Sequence, residues 1–419
     1  MDFLFKLPIA SLNMASLVLI FGLLVIVCLL IKGGMDHFSL PPIIGYLLIG
    51  MLLSLADRQF HLLGESGENI LEFFSAVGVV ILLFRVGIES DLHALLEELP
   101  KATVIWLPNM ALSGIPAYYI THAWLGYAIV PSLFVGVAMT ATSVGVSVAV
   151  WEESKKLKTK EGELLLDTAE LDDISGVALM ALLFSIAPIL KELGVDSEQA
   201  TDSGPPLLQA LASEAGFFLL KFLIFIAAIL LIGRFLEKPL AHSAQRIGNK
   251  VTVLLFVVGF GLAISGTAGL IGLSLPIGAL FAGLLLSRHR QDYGFKPFYQ
   301  SLYLLFIPFF FIHIGFQIDP SVIGGSVWIG LALTTVAILG KIVGTGAVAW
   351  LFTGAYATLL IGASMAPRAE ITMVIIQRGK QLGSWAMPED LYAAMVFVSA
   401  ATCLGTVLFL HWALRRWEK

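Results

Sequence analysis

The chain is poor in charge. Only 13% of its 419 residues are Asp, Glu, Lys or Arg, about half the roughly 25% of an average soluble domain. With 58% hydrophobic residues and a mean hydropathy of +0.90, that scarcity excludes a soluble multi-domain protein. Cysteine is nearly absent. Cys28 and Cys403 both lie inside apolar runs, so neither a disulfide framework nor a cysteine metal site is expected. No glycine-rich phosphate loop and no Ser/His/Asp or Cys/His arrangement occurs, so nothing invites an enzymatic reading. The first apolar run lacks a small-residue cleavage site and reads as a membrane helix rather than a signal peptide.

What is present is a succession of apolar runs of about 18 or more residues, the signature of a polytopic helical membrane protein. Thirteen segments are expected, at about 14–32, 40–55, 70–88, 102–124, 128–150, 165–190, 214–236, 251–267, 273–287, 301–317, 326–353, 355–377 and 391–414. Segments 2 and 9 are short, which implies tilt or local thinning of the bilayer. With the N-terminus outside, sixteen Lys and Arg fall in the inner loops and flanks against five outside. The excess of inner positive charge therefore predicts N-out and C-in.

Two stretches repeat. Gly45-Tyr-Leu-Leu-Ile-Gly50-Met-Leu-Leu-Ser54 and Gly278-Ala-Leu-Phe-Ala-Gly283-Leu-Leu-Leu-Ser287 share G-x-L-x-x-G-x-L-L-S, 233 residues apart. Arg85-Val-Gly87 in segment 3 and His313-Ile-Gly315 in segment 10 correspond at an offset of 228. Across seven helices the direction through the membrane reverses, so the repeat is inverted. Inverted repeats build transporters whose site lies near the midplane, where interrupted helices meet. The repeat pairs segment 5 with segment 12, and both carry an interruption signal. Segment 5 has Thr140-Ala-Thr142-Ser143, whose hydroxyls can satisfy backbone groups freed by unwinding. Segment 12 has Pro367, which removes a donor and biases Ala366 away from helix. The bland alternative for the hydroxyl cluster is small-residue packing between helices.

Charges inside the apolar runs are the costly residues of the chain. Asp172 and Asp173 lie in segment 6, Lys341 in segment 11, and Arg368 and Glu370 just past the proline of segment 12. Such groups face a protein interior or a water-filled route and mark ion or proton pathways. The competing possibility is that helix 6 begins later and leaves the Asp pair at a wet surface. Pairing of Lys341 with one Asp would leave the other to bind a cation or a proton. A hard monovalent cation such as Na⁺ wants oxygen ligands, and the carboxylates, Thr142, Ser143 and unwound carbonyls can supply them. If cation and proton need one carboxylate, binding is mutually exclusive, and with alternating access that competition is sufficient for antiport. Arg368 and Glu370 could balance the half-helix dipoles at the crossing. Glu161, Glu163, Asp167 and Glu170 read either as an electronegative funnel or as solvated acids of a helix start. Arg85 and His313 read as structural or interface residues. No cofactor and no nucleic acid is expected, and membrane lipid is the expected surrounding.

On these residues the chain resembles the monovalent cation:proton antiporters, in their second branch, and is most similar to NapA-type sodium/proton antiporters. The resemblance spans nearly the whole chain and rests on Pro42 to Gly50, Leu83 to Asp91, Thr140 to Ser143, Asp172-Asp173, Pro308 to Gly315, Lys341, and Pro367 to Glu370. It implies an all-α fold of about thirteen transmembrane helices with two crossed discontinuous helices. It implies Asp173 as the main cation and proton carboxylate, Asp172 as its partner paired with Lys341, Thr142 and Ser143 at one break, and Arg368 and Glu370 at the other. It further implies a dimerising scaffold (about 14–91 and 251–319), a linker helix (214–236) and a mobile core (about 102–190 and 326–414) in a homodimer of the cell membrane. An Asp-Asp pair with a core Lys resembles the electrogenic members. The alternatives are a K⁺/H⁺ or electroneutral exchanger of the same fold and, further off, a Na⁺-coupled organic anion transporter. No soluble regulatory domain is expected in this chain.

Overall fold

The computed structural model describes residues 14–89, 92–192, 216–217, 220–229, 231–232, 250–287, 296–350 and 353–417. Among them every element is helical. In chain order these are α1 (Met14–His37), α2 (Pro42–Phe60), α3 (Gly64–Glu89), α4 (Leu92–Tyr119), α5 (Ile129–Ala138), α6 (Val144–Glu153) and α7 (Lys160–Glu192). Then follow α8 (Leu220–Ile229), α9 (Lys250–Leu270), α10 (Leu275–Leu286), α11 (Lys296–Phe316), α12 (Ile323–Ala349), α13 (Ala355–Ser364), α14 (Glu370–Leu382) and α15 (Glu389–Arg416). Within the described residues the expected segments coincide with a helix or a pair of half-helices. The expected linker segment 214–236 lies partly outside the described residues.

Local chemistry sets several boundaries. Pro42 and Pro276 stand in the first turns of α2 and α10, where a missing N–H costs nothing. Gly383 ends α14 with φ of 116°, a conformation that only glycine adopts freely. Among the described residues, seven helices are long and apolar enough to cross a membrane. The chain is thus a multi-pass membrane protein, and large apolar side chains such as Val18, Leu23 and Leu30 of α1 are exposed on its outside.

The helices pack in two groups. In the first, α2 lies on α11, α3 on α10 and α11, and α9 on α10. Phe74 of α3 fills this group, 5.3 Å from Phe21 and 5.1 Å from Phe309 between ring centroids. In the second, α4 packs on α5, α7 and α12, while α12 packs on α13 and α15 and α14 on α5 and α15. The packing obeys the repeat. The contact of α2 on α11 is matched by α10 on α3, α4 on α7 by α12 on α15, and α5 on α14 by α13 on α6.

The repeat glycines are the contact points. Gly50 of α2 sits on Gly315 and on the backbone of Ile312 and Phe316. Gly283 of α10 sits on Gly87 and on the backbone of Phe84 and Ile88. A methyl group at Gly283 would overlap the Phe84 carbonyl and lie 2.9 Å from the Gly87 Cα. The motif that revealed the repeat is therefore a pair of backbone-to-backbone contacts, as small residues allow between membrane helices. We expect Gly50→Ala and Gly283→Ala each to lower thermal stability in detergent by about 1–3 kcal/mol, the cost of overpacking. Gly405→Ala, with nothing within 4 Å of its added methyl group, should be neutral or slightly stabilising. Equal melting temperatures for all three variants would refute the close-contact reading.

Candidate functional site

Two helices are interrupted where the repeat requires it. The chain leaves helix after Ala138 and re-enters at Val144, and again leaves after Ser364 and re-enters at Glu370. The two gaps cross. The Ser143 N–H donates to the Pro367 carbonyl at 2.9 Å, Ser147 Oγ to the Ser364 carbonyl at 2.7 Å, and Thr372 Oγ1 to the Ala138 carbonyl at 2.9 Å. Each gap thus supplies partners for backbone groups that the other leaves unpaired, which an apolar environment demands.

The carbonyls at the end of α5 also meet cations. Lys341 Nζ donates to the Thr140 carbonyl at 2.9 Å, and Arg368 Nη1 donates to the Ala141 carbonyl. Both side chains are fully buried. Positive charge is favourable at a helix C-terminus, and negative charge at an N-terminus. Accordingly Glu370 is the first residue of α14, and the Ser143 hydroxyl, at the start of α6, donates to its carboxylate. The Arg368 N–H itself donates to Thr402 Oγ1 of α15 at 3.1 Å.

Asp172 lies near the middle of α7, which begins at Lys160, so the later-start alternative does not hold. Its residue is 1% exposed. Lys341 Nζ pairs with Asp172 Oδ2 at 2.5 Å, and Thr142 Oγ1 donates to the same oxygen at 2.6 Å. Asn109 Nδ2 of α4 donates to Oδ1 at 2.9 Å, and Thr345 Oγ1 of α12 donates to Asn109 Oδ1 at 2.9 Å. Asp172 is therefore held from α4, from the α5 gap and from α12 at once. Asp173 follows it on α7 and is half-buried. Gly176, one turn on, brings α7 against Ala141 in the gap, so close that a methyl group added to this glycine would lie 3.2 Å from the Ala141 Cβ.

Sequence reasoning brought Asp172, Asp173, Thr142, Ser143, Lys341, Arg368 and Glu370 to one region, and the fold gathers them there. The two hydroxyls divide: Thr142 serves Asp172, whereas Ser143 serves Glu370. Asn109 and Thr345 went unnoticed. Thr345 lies four residues after Lys341, on the same helix face, and that spacing was the available signal. Glu161 and Glu163 occupy the first turn of α7, and Asp167 is exposed. The side chain of Glu170 lies outside the described residues.

A cavity of about 470 Å³ opens between the two helix groups. Its walls include Lys32, Asp36, Arg85 and Tyr303 on one side and Glu153, Glu370 and His411 on the other. It connects the face that bears the C-terminal end of α15 with the start of α14 at the crossing.

Inverted repeats, two crossed half-helix pairs and a buried lysine–aspartate pair define an inverted-repeat membrane carrier. The sodium/hydrogen exchanger transmembrane family matches residues 18–416, and the chain belongs to that family. It is 33% identical to a Na(+)/H(+) antiporter of Enterococcus hirae, over 91% of this chain and 93% of that protein. It is 29% identical to the Na(+)/H(+)-K(+) antiporter GerN of Bacillus cereus, over 90% and 91%. The fold matches the sodium proton antiporter MjNhaP1 of Methanocaldococcus jannaschii at pH 8, with a TM-score of 0.67 and 15% identity over 96% of this chain and 98% of that one.

Removing one member of a buried pair strands the other charge, at a cost of about 3–5 kcal/mol. Lys341→Met should lower thermal stability by about that amount, and the added Asp172→Leu should recover more than half of it. Additive losses in the double variant would show that the two side chains do not act as a pair.

Proposed function

We propose that this chain is a secondary-active antiporter exchanging a monovalent cation, Na⁺ first, for protons. The observation that carries the reading is the position of Lys341. Its ammonium bridges the Thr140 carbonyl and the Asp172 carboxylate, 2.9 and 2.5 Å away. A monovalent positive charge already sits between two oxygens of the kind that bind Na⁺. When Lys341 withdraws, both oxygens become available together, next to Asp173 and Thr142. A cation arriving there and the lysine exclude each other, and Asp173 can hold either the cation or a proton. Loss of the lysine proton on withdrawal would add a second proton to the cycle and make the exchange electrogenic. Asn109 and Thr345 hold Asp172 in place while its partner changes.

Alternating access supplies the other half. The group of α2, α3, α10 and α11 serves in this reading as a scaffold through which two copies dimerise. The group of α4 to α7 and α12 to α15 moves as the core. In this reading the cavity marks a conformation open to the face of the α15 C-terminus, which is taken as the cytoplasmic side of a cell-membrane protein with its N-terminus outside, in line with the loop charges. Binding and release of the transported ions is the whole chemistry, and no bond of a substrate is made or broken.

Proteoliposomes holding a pH-sensitive dye should show proton movement on addition of Na⁺, and Asp173→Asn should reduce it to the level of empty liposomes. Full activity in that variant would sink the assignment. Current transients on a solid-supported membrane, with Na⁺, Li⁺ and K⁺ jumps at several pH values, report selectivity and electrogenicity together. An electrogenic cycle gives a transient of fixed sign under symmetric buffer, and its absence would mark the exchange as electroneutral.

A further inference from the structure

Arg85 and His313 occupy equivalent positions of the repeat, and the exchange site uses neither. Both lie where the two helix groups face each other, at opposite ends. Arg85 lines the open cavity, its guanidinium 4.8 Å from the centre of the Tyr303 ring. His313 is buried at the other end, near the C-terminus of α11, the second half of α14 and the start of α15. There the two groups meet across a series of polar contacts. The Tyr392 hydroxyl of α15 reaches the Ile314 carbonyl of α11 at 3.1 Å and Gln377 Oε1 of α14 at 2.8 Å. Gln377 Nε2 lies 3.5 Å from His313 Nδ1. Ser75 Oγ of α3 is 3.2 Å from the same nitrogen, and the Gln317 amide is 3.2 Å from Nε2.

Matching donors with acceptors orients this chain of groups. The Tyr392 hydroxyl has one proton, and it goes to the nearer acceptor, Gln377 Oε1 at 2.8 Å, rather than to the Ile314 carbonyl at 3.1 Å; the Gln377 N–H then points at His313 Nδ1, which accepts. A neutral imidazole that accepts at Nδ1 carries its proton on Nε2. That N–H needs an acceptor, and the Gln317 carboxamide oxygen, otherwise without a partner among the described residues, supplies it when turned to the ring. The relay then runs from Tyr392 through Gln377 and His313 to Gln317. Protonation of Nδ1 breaks it at one point. The new N–H can donate to Ser75, within the first helix group, but it opposes the Gln377 N–H, which belongs to the second.

We propose that His313, Gln377 and Tyr392 form the closed gate on the side opposite the cavity, held shut by a neutral imidazole and released when His313 takes up a proton. A fall in pH on that side favours opening there, and opening admits the proton that the exchange consumes. The imidazole's hydrogen-bond partners among the described residues are all uncharged. The charged groups at this end of the surrounding helices are Asp57 and Arg58 on α2, Glu65, Glu68 and Glu72 on α3, Arg378 and Lys380 on α14, Glu389 and Asp390 on α15, and Asp319 after α11. Arg58 pairs with Asp319 at 3.3 Å, and Asp390 accepts from the Tyr127 hydroxyl at 2.6 Å. Glu72 is engaged with Gln381 at 3.4 Å. Lys380 is paired with Glu389 and stands 5.4 Å from the Tyr392 ring centre.

The gate rests on the alternating access proposed above, so its test does not use transport. Met373 is fully buried one turn further in along α14. In Met373→Cys, the rate of labelling by a membrane-impermeant maleimide added on the gate side reads opening, with native Cys28 and Cys403 subtracted using the parent protein. The reference is the same cysteine in His313→Gln, whose side chain hydrogen-bonds but does not titrate. From pH 8 to pH 6 the ratio of the two rates should rise about fourfold, the linkage expected when the imidazole is neutral while closed and takes up its proton on opening with the ordinary histidine affinity. A constant ratio overturns the proposal. Tyr392→Phe removes the far end of the relay without touching the histidine and should label faster at both pH values. Labelling at the parent rate would also overturn it. Pulse labelling in native membranes, read only on protein that remains monodisperse after extraction, excludes unfolded material. Exchange that survives with a pH-independent gate defeats this inference alone, whereas a working gate without cation-dependent proton movement defeats the antiport reading.

Discussion

Interrupting a helix within an apolar medium strands backbone N–H and C=O groups that no solvent can reach. The centre of this protein is organised by that constraint. It interrupts two helices, and the crossing gaps answer each other through the Ser143–Pro367, Ser147–Ser364 and Thr372–Ala138 bonds. The carbonyls still open at the end of α5 are met by Lys341 and Arg368. Those cations in turn require nearby negative charge, which Asp172 supplies, and Asp172 requires the donors Asn109 and Thr142. The binding chemistry follows from satisfying a broken backbone. The same groups that make the interruption tolerable are ones a small cation would compete with.

The inverted repeat divides the labour. Its outer helices meet through glycines and aromatic rings, contacts with little polar content. Its inner helices also meet at glycines but add hydroxyls, amides and charges. Between the two lies a boundary that is open at one end, where Arg85 lines a cavity, and hydrogen-bonded at the other, where His313 is buried.

Much of this was legible in the sequence because it depends on composition along the chain. The helices followed from apolar runs, and the break in segment 12 from Pro367. The break at Thr140 to Ser143 contains no proline and became readable only when the repeat aligned it with Pro367. Other features depend on direction around a helix. Two adjacent residues on a helix diverge by about 100°, so nothing in Asp172-Asp173 said which carboxylate would meet Lys341. The placement of α12 against α4, from which Lys341 reaches across to Asp172, decides it. Asn109 was illegible for a related reason. A single amide in an apolar run has no periodicity, and its partners come from α7 and α12, distant in sequence by 63 and 236 residues.

The glycine contacts have a mechanical consequence. Gly50 on Gly315 and Gly87 on Gly283 set main chain directly against main chain, with no side-chain rotamers between them to rearrange. Displacing either helix would bring a side-chain carbon into a space that holds only backbone. The two joints lie on opposite sides of the repeat's two-fold axis, so together they resist both translation and tilt. They form a rigid datum, and a displacement elsewhere in the protein is measured against it rather than absorbed by it.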